Sequence, residues 1–285
     1  MRKFIMTVIA AVACPLALMG CGGDGDGSGS TSTRADEGIW SYISSADQNG
    51  SQELVQTVVL SDGSYWGVYG DISGGYFSRS GILYGTASIN GDNASGTYID
   101  FGNGAVVNSA INGTYTGTVS AKNSLNLTFT ETPNPALYYI SSLSSNSFNM
   151  SYDGIYNQPA SLSSIAGNYQ QAIPSNMLHP VVPSQTAPTI AITQNLSISG
   201  SNLTVVESDN GKVLMNGTIT PHGAVNVFDV SLTTTADAAT APFIPSIPAD
   251  ITYKGILFQT SGVLKNDIEI VAASGNNQFF YIGSK

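Results

Sequence analysis

Ser124-Leu125-Asn126-Leu127-Thr128-Phe129 alternates polar and apolar side chains. A chain of period two can bury only one face, and it does so as a β-strand. The alternation returns in Thr189-Ile190-Ala191-Ile192, Asn195-Leu196-Ser197-Ile198, Val225-Asn226-Val227 and Asp267-Ile268-Glu269-Ile270. Each run predicts one side on a core and the other in water. Asp62-Gly63, Asn90-Gly91, Asn112-Gly113, Asn210-Gly211 and Asn216-Gly217 punctuate the strands. Such pairs supply the positive φ angles of tight hairpins. Strands spaced roughly 8 to 14 residues apart fit antiparallel meanders, closed as barrels or stacked as sandwiches. The fold class is all-β.

One segment departs from this pattern. Gln158-Pro159-Ala160-Ser161-Leu162-Ser163-Ser164-Ile165 places a proline near a helix start and apolar residues three apart, which predicts one or two helical turns. The segment also separates two similar halves. Gly38-Ile39-Trp40 opens the first and Gly167-Asn168-Tyr169 the second. Ile111-Asn112-Gly113-Thr114-Tyr115-Thr116 in the first half answers Met215-Asn216-Gly217-Thr218-Ile219-Thr220 in the second. Residues 38–157 and 158–285 therefore read as two consecutive small β domains, each with room for about eight short strands, enough to close a barrel. Residues 172–188 and 236–250 are proline-rich and read as loops outside the sheets.

The N-terminus is of another kind. Arg2 and Lys3 precede an almost wholly apolar run from Phe4 to Met19. This is the shape of a secretory signal, residues 1–20, and it is too short to span a bilayer, which takes about 20 apolar residues. Leu18-Met19-Gly20-Cys21 resembles the lipobox of bacterial lipoproteins. That resemblance implies cleavage before Cys21 and lipid on the cysteine: a diacylglyceryl group on its sulfur and an acyl chain such as palmitate on its amine. Each buried methylene contributes roughly 0.8 kcal/mol, so several chains hold a protein on a membrane. Gly22 after the cysteine resembles the outer-membrane sorting pattern of enteric bacteria. Residues 22–37, GGDGDGSGSTSTRADE, hold no apolar side chain larger than alanine and read, with Cys21, as a lipidated flexible tether. As a coil they span roughly 20–25 Å.

Two further resemblances concern the body of the chain. The stretch Ser151-Tyr152-Asp153-Gly154-Ile155-Tyr156-Asn157-Gln158-Pro159-Ala160-Ser161-Leu162, continuing through Ala166-Gly167-Asn168-Tyr169, resembles uncharacterised two-domain, β-rich lipoproteins of proteobacteria, as does Leu60-Ser61-Asp62-Gly63-Ser64-Tyr65-Trp66. No function comes with that family. The lipidated cysteine, tether and tandem barrels together resemble transferrin-binding and factor-H-binding surface lipoproteins in architecture. Gly38-x-Trp40 resembles the start of a lipocalin first strand, but the late arginine that lipocalins set against that tryptophan has no counterpart, since no arginine follows Arg79.

Composition restricts the chemistry. Without residues 1–20, seven basic residues face nineteen acidic ones, a net charge near −12. The seven are scattered, so there is no basic stripe for nucleic acid and no patch for anionic headgroups. Both cysteines lie at or before residue 21, so the mature chain holds no disulfide. Neither a Gly-x-Ser-x-Gly elbow nor His-Glu-x-x-His nor a phosphate-binding glycine loop occurs. The two histidines, His179 and His222, read as exposed loop residues, and no metal or cofactor is expected.

The aromatic residues are uneven: eleven of the 14 tyrosines and both tryptophans precede residue 157. They are densest at Tyr65-Trp66-Gly67-Val68-Tyr69-Gly70-Asp71, running on to Tyr76-Phe77. Alternate rings here suit either a barrel core or a surface that contacts a sugar or protein. Tyr65, Trp66, Tyr69 and Tyr76 are the candidate contacts. The expected function is non-catalytic binding by an outer-membrane, lipid-anchored envelope protein, its protein or carbohydrate partner unidentified. The alternatives are a structural, accessory or inhibitory lipoprotein facing the periplasm, and a hydrolase built on two carboxylates.

Overall fold

Ser124–Glu131 is a strand, and all its apolar side chains face one way: Leu125, Leu127 and Phe129 are buried while Asn126 and Thr130 are exposed. The protein is seen here as a computed structural model describing residues 34–73, 76–102, 111–131, 146–171, 194–208, 210–236, 249–262, 264, 267–275 and 277–285. Signal, lipobox, Cys21 and most of the tether lie outside these residues, as do Thr189–Ile192 and most of both proline-rich loops.

Eight antiparallel strands close a first barrel: β1 Gly38–Ile43, β2 Gln52–Val59, β3 Ser64–Ser73, β4 Tyr76–Asn90, β5 Asn93–Gly102, β6 Ile111–Ser120, β7 Ser124–Glu131 and β8 Ser147–Asp153. Eight more close a second: β9 Gly167–Gln171, β10 Gln194–Ser199, β11 Asn202–Glu207, β12 Val213–Pro221, β13 Val227–Thr234, β14 Thr252–Phe258, β15 Asp267–Ser274 and β16 Asn277–Ser284. Each strand pairs with its neighbours in sequence, and the first strand of each barrel pairs with its last. Eight strands leave an interior just wide enough for side chains. Trp40, Tyr65, Tyr98, Tyr115, Phe129 and Met150 are among those filling the first. Tyr169, Met215, Phe228, Leu257, Phe279 and Tyr281 are among those filling the second. Between the barrels run a 3-10 turn, Gly154–Asn157, and one helical turn, Leu162–Ile165, where the proline pattern expects it.

Two of the five turn signals are not turns. Gly63, Gly91 and Gly211 adopt positive φ at chain reversals, but Asn112-Gly113 and Asn216-Gly217 lie inside β6 and β12. Their glycines make room. A side-chain carbon at Gly113 would run into the Tyr98 ring, and one at Gly217 into the backbone at Ser231 and Leu232.

Both barrels are stoppered at the end where their first strand begins. In each, a glycine of positive φ, Gly38 at 154° or Gly167 at 148°, starts the strand two residues before a buried aromatic. That aromatic donates a hydrogen bond four residues back: Trp40 Nε1 to Asp36 O at 2.8 Å, Tyr169 Oη to Ile165 O at 2.7 Å. A cation caps each end. Arg34 forks onto Asp36 at 3.0 and 2.9 Å, while Lys285 lies 5.2 Å from the Tyr169 ring centre and donates to Ser164 O at 3.1 Å. Residues 34–37, which composition assigns to the tether, are therefore folded onto the first barrel. The Tyr156 hydroxyl adds a bond to Glu37 at 2.9 Å.

The barrels lie side by side within one compact unit, residues 33–285. Leu54 and Val58 of β2, Leu60 just past its end and Val68 of β3 point out of the first barrel into a shared core. Ile256, Phe258, Val271, Phe280 and Ile282 meet them from the second. The stoppered ends share one side: the Asp153 carboxylate accepts the Ser261 N–H at 2.6 Å and its hydroxyl at 2.8 Å, and Tyr156 O accepts the Asn226 N–H at 3.0 Å. Burying a valine, leucine, isoleucine or phenylalanine side chain is worth roughly 1.5–3 kcal/mol, so this joint holds the barrels as a pair.

Candidate functional site

Beside the joint, the walls of the two barrels leave a groove of about 340 Å³. β3 supplies one wall. Tyr65 points into its barrel, so its neighbours Ser64 and Trp66 must point out, and both line the groove. Asp62, in the turn before β3, stands at the rim. The second barrel supplies the other wall by the same alternation. Ile219 is inward, so Thr218 and Thr220 face the groove; Phe228 and Leu232 are inward, so Asp229 and Ser231 do. Lys254 of β14 and His222, just past β12, complete it.

Trp66 is half-buried. Tyr84 of the neighbouring strand stacks on it with ring centres 5.2 Å apart and planes 29° apart, which fixes the indole as a platform. His222 Nδ1 lies 2.9 Å from Asp229 Oδ1. Asp62 accepts the Ser64 N–H at 2.8 Å. Burial pushes the Asp62 carboxyl up, but the Ser64 N–H and hydroxyl and the neighbouring His222 ring outweigh it, and it titrates below the ordinary aspartate range. Lys254 makes no ion pair among the described residues. The groove thus offers an aromatic face, hydroxyls, both signs of charge and an open side.

The four aromatic candidates divide. Tyr65 is fully buried inside the first barrel, its ring 5.0 Å from that of Tyr115. Tyr69 is buried there too, donating to Asp100 at 2.9–3.0 Å. Trp66 lies in the groove. Tyr76 opens β4, paired with Ser73, and its side chain is outside the described residues. The opposite wall escaped sequence reading. Thr218, Thr220 and His222 share a face by period two, as do Asp229 and Ser231, but nothing in the chain says that this face meets Trp66.

Among the described residues, no three His, Cys, Asp or Glu side chains gather as metal ligands. The chain matches no protein-family model, no curated protein and no solved structure. Fold and groove define its class directly: a side-by-side pair of filled antiparallel barrels, with a polar cleft between them that Trp66 lines.

Proposed function

We propose that the protein is a lipid-anchored envelope protein, held through Cys21 and sorted to the outer membrane, that binds a sugar-bearing ligand in the groove between its barrels without transforming it. The observation that carries this reading is Trp66, an aromatic face clamped by Tyr84 and ringed by Ser64, Thr218, Thr220, Asp229 and Lys254. Flat rings stack on the apolar faces of sugars, and hydroxyls and charges around them fix orientation. The net charge near −12 argues against polyanionic ligands. Trp40 is fully buried, so a change in tryptophan emission on titration reports the groove. The mature chain on a glycan array should retain a subset of neutral or amino sugars, and Trp66→Ala should weaken that binding at least tenfold while leaving the fold intact. Undiminished binding by the folded variant would remove the groove from the account. Mass spectrometry of the mature N-terminus tests the anchor, which fails if Cys21 carries a bare thiol.

A further inference from the structure

The groove exists because the barrels are joined, and the joint encloses the carboxyl of Glu269. Glu269 of β15 faces out of the second barrel, opposite Phe258 of β14 and Ile282 of β16 in the sheet register. It is 0% exposed. On its own strand the nearest charge is Asp267, of like sign, and the Thr260 hydroxyl beyond β14 reaches its carboxyl. From the first barrel, β2 presents Gln56. The end of that amide facing the acid lies 3.2 Å from Oε1 and 3.0 Å from Oε2, and its other end lies 3.2 Å from Thr260 Oγ1. Among the described residues no lysine, arginine or histidine stands within ion-pair distance.

An ion so placed has lost its water and, among the described residues, gained no counter-charge, and a neutral acid has neither problem. As a carboxylic acid, Glu269 donates its O–H to the Gln56 carbonyl, and the Gln56 NH₂ donates to Thr260. As a carboxylate it requires the amide to turn over, and it leaves a negative charge beside Asp267 in an apolar seam. We propose that Glu269 is un-ionised at neutral pH and that loss of its proton to water at alkaline pH loosens the joint between the barrels. Burial first, and then the Asp267 charge, hold this carboxyl well above the ordinary glutamate range, with Thr260 pulling weakly the other way. The protonated acid's contribution is full below the unfolded value near 4.5 and declines as pH rises toward the raised folded value. Control of the groove by this acid rests on the binding reading given above; the protonation itself does not.

The test uses the mature chain labelled with ¹³C-glutamate and no ligand, so a groove that binds nothing leaves the result intact. Infrared spectra at pH 7 should show the C=O stretch of an un-ionised glutamic acid. On alkaline titration that band should vanish as hydrogen exchange quickens in β2 and β14–β16. Glu269→Gln, nearly isosteric, should lack the band and keep exchange at the joint slow across the titration. Asp267→Asn, a charge change on a partly exposed side chain, should move both transitions to lower pH in a chain that retains Glu269. The proposal is overturned if the wild type shows no un-ionised glutamic acid at pH 7, if Glu269→Gln loosens with alkali as the wild type does, or if Asp267→Asn leaves the transition in place.

Discussion

The first barrel has two walls that obey different rules. Along β6 the outward residues Asn112, Thr114, Thr116, Thr118 and Ser120 are all exposed. Along β2 the outward residues Leu54, Gln56, Val58 and, just past its end, Leu60 are each no more than 2% exposed. Both strands send alternate side chains inward to one core, so the interior does not distinguish them. The difference is what lies outside: water for one, a second barrel for the other. A strand wetted on one face shows strict alternation, and a strand covered on both becomes a continuous apolar run. Val58-Val59-Leu60, Ile256-Leu257-Phe258 and Phe279-Phe280-Tyr281-Ile282 are such runs, and all lie at the joint.

The largest effect is expected where the joint is thickest. Phe258 is fully buried, and its ring belongs to the seam rather than to either barrel's interior. Phe258→Ala removes the ring and leaves a cavity between two rigid walls, at a cost of about 3–5 kcal/mol. Denaturant unfolding measures the loss. Hydrogen exchange locates it, since amides of β2, in the other barrel, should exchange faster. A loss confined to the second barrel would mean that the walls touch without supporting one another.

A gentler change sets the same two residue types on opposite walls. Val58→Thr keeps the shape and places a hydroxyl in the seam, where Val58 is 0% exposed. A buried hydroxyl without a partner costs roughly 1–3 kcal/mol. The midpoint of denaturant unfolding should fall while its slope stays fixed. If Val58→Thr proves neutral, the seam is wetter than its burial indicates.

This contrast also explains how much the chain reveals of itself. Strict alternation in β7 and β10 identifies one-sided strands because water selects the outer residues directly. The stoppers are legible in part: Gly38-x-Trp40 and Gly167-x-Tyr169 repeat a real device, although the cation at each end comes from Arg34 upstream and Lys285 at the C-terminus, too far apart in sequence for a motif. Asn112-Gly113 misleads because glycine serves two purposes, and only the neighbouring Tyr98 ring decides which. Asp267-Ile268-Glu269-Ile270 misleads for the opposite reason. Its alternation is genuine, but at Glu269 the polar side meets Gln56 of the other barrel instead of water. The aromatic cluster is legible as a cluster but not as a site: alternation sends Tyr65 inward and Trp66 outward, and only the second barrel turns an outward tryptophan into the wall of a groove.

The smallest effect is the sharpest check on the contrast. Thr116→Val reverses the earlier substitution on the wetted wall. Thr116 is exposed in mid-β6, opposite Ser95 of β5 and Thr128 of β7. Valine keeps the β-branched shape that suits a strand and removes only a hydroxyl that water already serves. Its effect on stability should lie within about 0.5 kcal/mol of zero, in either direction. The same pair of side chains then differs by several-fold in cost between two strands of one barrel. Were Thr116→Val instead to cost as much as Val58→Thr, the wall at β6 would have to be covered in solution, and a second molecule of this chain, detectable by sedimentation, is what would cover it.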